Sequence, residues 1–157
     1  MWNVFDFDGT QARARRAAGD RFWAYAAEYK TNDGYEPLDL RVPYWLYWKY
    51  GITGVHHSHG DNKYSLLYPN ATYPHSDGLE ETPSIRWEMI RHGVQDYEYL
   101  WLLNDLIQKN GKKGQRYRDL LQVPKSLAEN DKEYTTDPRV LQDRRDKIAH
   151  AIEKLIE

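Results

Sequence analysis

The sequence predicts an α/β protein, with about three strand-helix units followed by a helical extension. Short apolar runs alternate with helix-patterned segments over the first half of the chain, the order that builds parallel strands joined by crossover helices. Beyond residue 82 the apolar spacing changes to that of long helices. Size sets a third bound: a closed eight-stranded α/β barrel needs about 250 residues, and this chain has 157. It suits either the last three units of a (β/α)8 barrel with a C-terminal helical extension, or a small open three-layer domain.

Residues 2–7, WNVFDF, suit a strand, and Thr10 is placed to cap a helix through QARARRAA that stops at Gly19. The run RFWAYAA, residues 21–27, reads as a strand buried on both faces. A loop, EYKTNDGYEPLD, leads to the aromatic helix VPYWLYWKY, with Pro43 near its start and Gly51 at its end. ITGVHHS is the third strand, and a long polar loop follows it. Thr82-Pro83 then opens the longest helix, running to Lys109 and stopping at Asn110-Gly111. Ile90, Val94, Tyr97 and Trp101 form one apolar stripe on that helix, broadened by Leu100, Leu103 and Ile107. Gly93 inside it costs about 1 kcal/mol relative to Ala, which predicts a close neighbour there. After a basic turn and an irregular segment, Asp137 caps a last helix with Pro138 at its first position and Leu141, Ile148, Ile152 and Leu155 on one side. The expected division is a partial barrel over residues 1–81, a covering helix over 82–111 and a C-terminal extension over 112–157.

Composition excludes several classes of function. A 40% hydrophobic content supports a real core. With 22 basic and 24 acidic side chains, the chain has no large positive field to hold nucleic acid or an anionic membrane. Cysteine is absent, which removes disulfides, thiolate metal sites and a Cys nucleophile. No leader precedes the first strand and no apolar run approaches 18 residues, so neither an export signal nor a membrane span is expected. Six Trp and thirteen Tyr against three Phe favour aromatics with a polar edge, which suit sugar clefts and interfaces as well as a Tyr-rich core.

One stretch, VFDFDGT at residues 4–10, resembles the opening of haloacid-dehalogenase-type phosphatases. That resemblance implies Asp6 as the nucleophile on phosphorus and Asp8 as the acid for the leaving group. The chemistry also needs a Lys at a later strand end and an acidic cluster for magnesium, and neither follows. Gln11 stands where those enzymes have Leu. A strand end, a tight Gly turn and a helix start explain the stretch better.

Three other blocks carry a longer match. LYWKYGITG (46–54), YSLLYP (64–69) and PSIRWEMIRHGVQDYEYLWLL (83–103) resemble, in order and spacing, the C-terminal part of domain of unknown function 4091, the catalytic-domain family of glycoside hydrolase family 123. The tail DPRVLQDRRDKIAHAIEKLIE is similar to that family's closing helix. The resemblance implies an α/β barrel, of which this chain is the last third. It implies hydrolysis of β-linked N-acetylgalactosamine in which the substrate's own acetamide oxygen attacks the anomeric carbon. In the family an adjacent Asp-Glu pair performs that chemistry, and no Asp-Glu dipeptide occurs in this sequence. No catalytic residue, metal or cofactor is therefore assigned here, and this chain alone is expected to be inactive. The partner implied is an N-acetylhexosamine-containing glycan.

What remains is part of a sugar pocket at the C-terminal ends of the strands. Tyr25 matches an aromatic in the family's "W.Y" strand and is placed to stack on a sugar ring or to pack as a core tyrosine. Arg41 matches the Arg that opens the next helix; pairing with a helix or loop carboxylate explains it better than contact with substrate. His57 and His59 replace a family Trp and suit hydrogen bonds to sugar hydroxyls better than a zinc site with Asp61. Arg86, Glu88, Arg91, Asp96 and Glu98 read as structural, with Glu88 and Arg91 an i,i+3 pair. A non-catalytic carbohydrate- or protein-binding module is the alternative from a different class.

Overall fold

The computed structural model describes residues 2–3, 9–26, 36–57, 67–69 and 81–157. It is a helix-rich, mixed α/β structure. Three short strands, β1 (Trp2–Asn3), β2 (Trp23–Ala26) and β3 (Gly54–His57), form a parallel sheet in the order β1-β2-β3. Helix α1 (Gly9–Ala17) crosses from β1 to β2, and α2 (Leu38–Arg41) with α3 (Pro43–Tyr50) crosses from β2 to β3. Thr10 lies inside α1 rather than capping it, and Gly19 ends the connection at φ 93°. The short helix α2 occupies part of the segment expected to be loop.

The register pairs Trp23 with Gly54, Ala24 with Val55 and Tyr25 with His56. Side chains alternate across a strand, so Ala24 and Val55 share one face and Trp23, Tyr25 and His56 the other. Ala24 is buried in the helical core and Val55 packs against it. Trp23, by contrast, is 55% exposed. The expectation that RFWAYAA is buried on both faces is therefore corrected. Ala24 and Val55 meet the helical core on one face, while Trp23 leaves the aromatic face open to solvent.

Two further strands, β4 (Leu67–Pro69) and β5 (Glu81–Pro83), pair antiparallel within what was expected to be loop. Pro83 ends β5 rather than opening the long helix. Ser84 is the N-cap of α4 (Ile85–Lys109) and its hydroxyl accepts from the Trp87 amide at 3.3 Å. Helix α5 (Gly111–Gln115), a 3-10 turn at Arg118–Leu121 and α6 (Pro138–Ile156) complete the chain. Asp137 caps α6 as expected, its carboxylate accepting from the Arg139 amide at 2.9 Å.

Helix α3 sits at the centre. Tyr44, Trp45, Leu46, Tyr47 and Tyr50 are all buried, so it is apolar around most of its circumference. Gly51, at φ 70°, closes it in the left-handed conformation that favours glycine. Against α3 lies α4, where Gly93 lets the Tyr44 ring approach the helix backbone directly, the close neighbour expected at that glycine. The buried face of α4 is Ile90, Gly93, Asp96, Leu100, Leu103 and Ile107. Val94 and Trp101, expected on the buried stripe, are 40% and 59% exposed. Leu141, Ile148, Ile152 and Leu155 of α6 are buried as expected. Trp48 Nε1 donates to the Leu121 carbonyl at 2.8 Å, and Lys49 Nζ donates to the carbonyls of Ala128 and Glu129 at 3.1 and 2.8 Å. These bonds fasten the C-terminal extension to the crossover helix, and the three expected segments share one core.

Candidate sugar-binding face and buried ion cluster

The open face of the parallel sheet is an aromatic ledge. Tyr25 and His56, side by side in register, stack with ring centroids 5.5 Å apart and planes 10° from parallel. Beside them the Trp23 indole lies across β3 above Gly54. A Cβ added to Gly54 would come 2.7 Å from Cε2 of Trp23, so the glycine makes room for the indole. The ledge combines a half-exposed indole, a phenol hydroxyl and an imidazole. Chemically, that set offers a flat apolar surface bordered by hydrogen-bonding groups, which matches the alternation of C–H faces and hydroxyls on a sugar ring. Among the described residues it contains no carboxylate.

Of the residues expected at the site, Tyr25 is on this ledge. His57 is the last residue of β3, in register with Ala26. His59, together with Asp6, Asp8 and Asp61, lies outside the described residues. Arg41 is elsewhere altogether: at the end of α2 it is buried against α4, where its Nε and Nη2 donate to the two carboxylate oxygens of Asp96 at 2.7 and 3.0 Å. Arg41, named among the substrate-binding residues, is thus held in the carboxylate pairing that the sequence reading preferred for it.

Asp96 is the hub of a buried cluster. Its side chain has no exposure, and it also accepts from Trp45 Nε1 at 3.0 Å and lies 3.4 Å from Arg145 of α6. Arg145 in turn covers the Tyr99 ring at 4.8 Å from its centroid. One anion thus satisfies two guanidinium groups and an indole, which is the condition for burying a charge without a large penalty. His92, one turn before Asp96, is held below its ordinary imidazole range by burial first, then by the positive charges of Arg41, Arg91 and Arg145, with Asp96 opposing. Its Nδ1 is buried without a hydrogen-bond partner. The cluster ties α2, α3, α4 and α6 together and offers no reactive group to a ligand. Glu88 and Arg91 form the expected i,i+3 pair, with the Arg91 Nε 2.7 Å from Glu88 Oε2.

On the helix side of β3 runs a groove of about 450 Å³ between the strand and α4, lined by Ile52, Val55, Val94, Tyr97, Glu98 and Trp101 among others. Tyr97 spans its floor, donating from its hydroxyl to the Ile52 carbonyl at 3.0 Å. Among the described residues that line it, Glu98 is the one carboxylate.

Two residues of the ledge, Trp23 and His56, escaped sequence reasoning. Trp23 was legible in WAYA, where aromatic and small residues alternate at the period of a strand. His56 was not, because its pairing with Tyr25 depends on register between strands 31 residues apart. None of the models of known protein families matches the chain, and no curated protein matches it in sequence. The resemblance to the glycoside hydrolase family therefore rests on its three sequence blocks.

Proposed function

We propose that this chain forms the sugar-stacking wall of an α/β-barrel glycoside hydrolase, similar to enzymes that hydrolyse β-linked N-acetylgalactosamine with assistance from the substrate's acetamide. The observation that carries this reading is the aromatic ledge of Trp23, Tyr25 and His56 on the face of a parallel sheet opposite the helical core. Strands that neighbour their successors advance a sheet in one direction, and right-handed crossovers then put every helix on one side. That is how a barrel wall is wound, and in a barrel the helix-free face is the interior. Tyr25 and His56 stand one residue from the C-terminal ends of their strands, the end at which barrels place their sites.

In this reading the ledge binds and orients, and the chemistry is done by groups outside the chain. The acetamide oxygen attacks the anomeric carbon, an Asp holds the acetamide and a neighbouring Glu protonates the leaving oxygen. Trp23 and Tyr25 present the flat surface against which the pyranose lies, and His56 borders it with a ring nitrogen.

A chromogenic β-N-acetylgalactosaminide tests the proposal. The chain alone should give no turnover, whereas its reading frame extended upstream should encode an Asp-Glu pair on a barrel strand and should hydrolyse the substrate. In the extended protein Trp23→Ala should raise KM by roughly tenfold, the loss of about one stacking contact with its buried area. Turnover by the chain alone, or an extended protein indifferent to Trp23→Ala, would overturn the reading.

A further inference from the structure

The core takes up only part of the apolar stripe on α4. Val94, Tyr97, Glu98 and Trp101 succeed one another at steps of three, one and three residues, so they occupy neighbouring positions on one flank of the helix. That flank lines the groove beside β3, across from Ile52 and Val55. Tyr44 and Tyr47, both buried, complete the lining, which gathers four aromatic side chains around a space of about 450 Å³. Cavities of this size hold small molecules.

The polar groups decide which kind. Tyr97 donates its hydroxyl to the Ile52 carbonyl at 3.0 Å and sets its ring edge to face with Trp48 at 5.6 Å, so the ring is fixed and the hydroxyl engaged. Thr53, also in the lining, donates to the Phe22 carbonyl at 3.4 Å. Glu98 differs from the other carboxylates of α4. Glu88 pairs with Arg91, Asp96 with Arg41 and Arg145, and Asp105 with Lys109. Among the described residues Glu98 alone on this helix has no basic partner, and no lysine or arginine of the described residues lines the groove. An anion would be repelled there. A cation with an apolar, weakly hydrated head gains from the ring faces and from the carboxylate together.

We propose that the groove between β3 and α4 binds a small organic cation, a free quaternary alkylammonium such as choline, with its methylated head against Tyr97 and Trp101 and its charge balanced by Glu98. Trp101 stands three residues beyond Glu98 on the helix surface, so a head seated on the indole is within reach of the carboxylate. The ledge on the sheet takes no part, and the inference does not depend on what binds there.

Titration of the isotopically labelled chain with choline tests it, read at the Trp101 indole Nε1–H resonance. The resonance should shift saturably with a Kd of roughly 1 mM, while that of Trp23 stays fixed. The neutral carbon isostere of choline, in which a tert-butyl group replaces the trimethylammonium, should bind about tenfold more weakly because it keeps the shape and loses the charge. Glu98→Gln, a change at an exposed position, should weaken choline severalfold and leave the far-ultraviolet circular dichroism and the affinity for the isostere unchanged. A Trp101 resonance indifferent to choline, equal affinity for the isostere, full affinity in Glu98→Gln, or binding to phosphatidylcholine vesicles with free choline inert would each overturn the proposal.

Discussion

Arg41 and Asp96, 55 residues apart in sequence, meet in a two-pronged salt bridge at 2.7 and 3.0 Å with almost no exposure to water. The contact joins the short helix before α3 to the middle of α4, and Trp45 and Arg145 converge on the same carboxylate. Removing one partner from such a cluster leaves uncompensated buried charge. Asp96→Asn should therefore cost about 3–5 kcal/mol in urea unfolding. Replacing both partners with apolar residues, Arg41→Met with Asp96→Leu, should cost at least about 1 kcal/mol less than the two single changes combined. Additive effects would show that the pair is not coupled.

Gly93 sets two local rules against each other. Ala is the better helix former by about 1 kcal/mol, but its methyl would enter the space held by the Tyr44 ring. Overpacking of a well-filled core costs about 1–3 kcal/mol, so Gly93→Ala should be destabilising on balance. A rise in the thermal midpoint would mean that the ring moves aside freely.

Acid should act through His92. Its folded pKa lies below the ordinary value of 6.5, chiefly through burial, so the unfolded chain binds the extra proton first as pH falls. The stability that depends on a neutral His92 is complete above 6.5 and is lost as pH drops from there through the lowered folded value. His92→Gln cannot titrate, and its unfolding free energy should fall less steeply than the parent's between pH 7 and 5. Identical slopes would assign the acid sensitivity elsewhere.

Gly54 supports the ledge, and the same logic gives a milder effect there. Gly54→Ala puts a methyl beneath the Trp23 indole, which has solvent to move into. Tryptophan fluorescence should shift while the unfolding midpoint changes by less than about 1 kcal/mol. A larger loss would mean that the indole is held more firmly than its exposure indicates.

Local signals were readable in the sequence wherever one residue carries its own instruction. Pro43 and Gly51 bracket α3, Asp137-Pro138 starts α6, and Gly93 announces a close neighbour. Strand-helix alternation likewise pointed to a parallel sheet. What periodicity left ambiguous was direction on α4. Its apolar residues spread past the core face, and nothing local distinguishes the positions of Leu100 and Leu103 from those of Val94 and Trp101. Arg41 matched a motif position, but its true partner is set by how α2 and α4 pack. Tyr25 was legible because aromatics in a WAYA strand share a face; its neighbour His56 was passed over for His57, since a one-residue difference in register exchanges the faces.

The account depends most on a sugar ring lying against the ledge. The most direct measurement is the perturbation of indole Nε1–H resonances, one for each of six tryptophans, as N-acetylgalactosamine is added to the isotopically labelled chain. Binding of a single ring is expected to be weak, with a Kd of roughly 1 mM or above. The account predicts a saturable shift of the Trp23 indole together with the backbone amides of Tyr25 and His56, abolished by Tyr25→Ala. Resonances of the ledge that stay fixed at saturating sugar, or shifts confined to Trp101 in the groove, would contradict it.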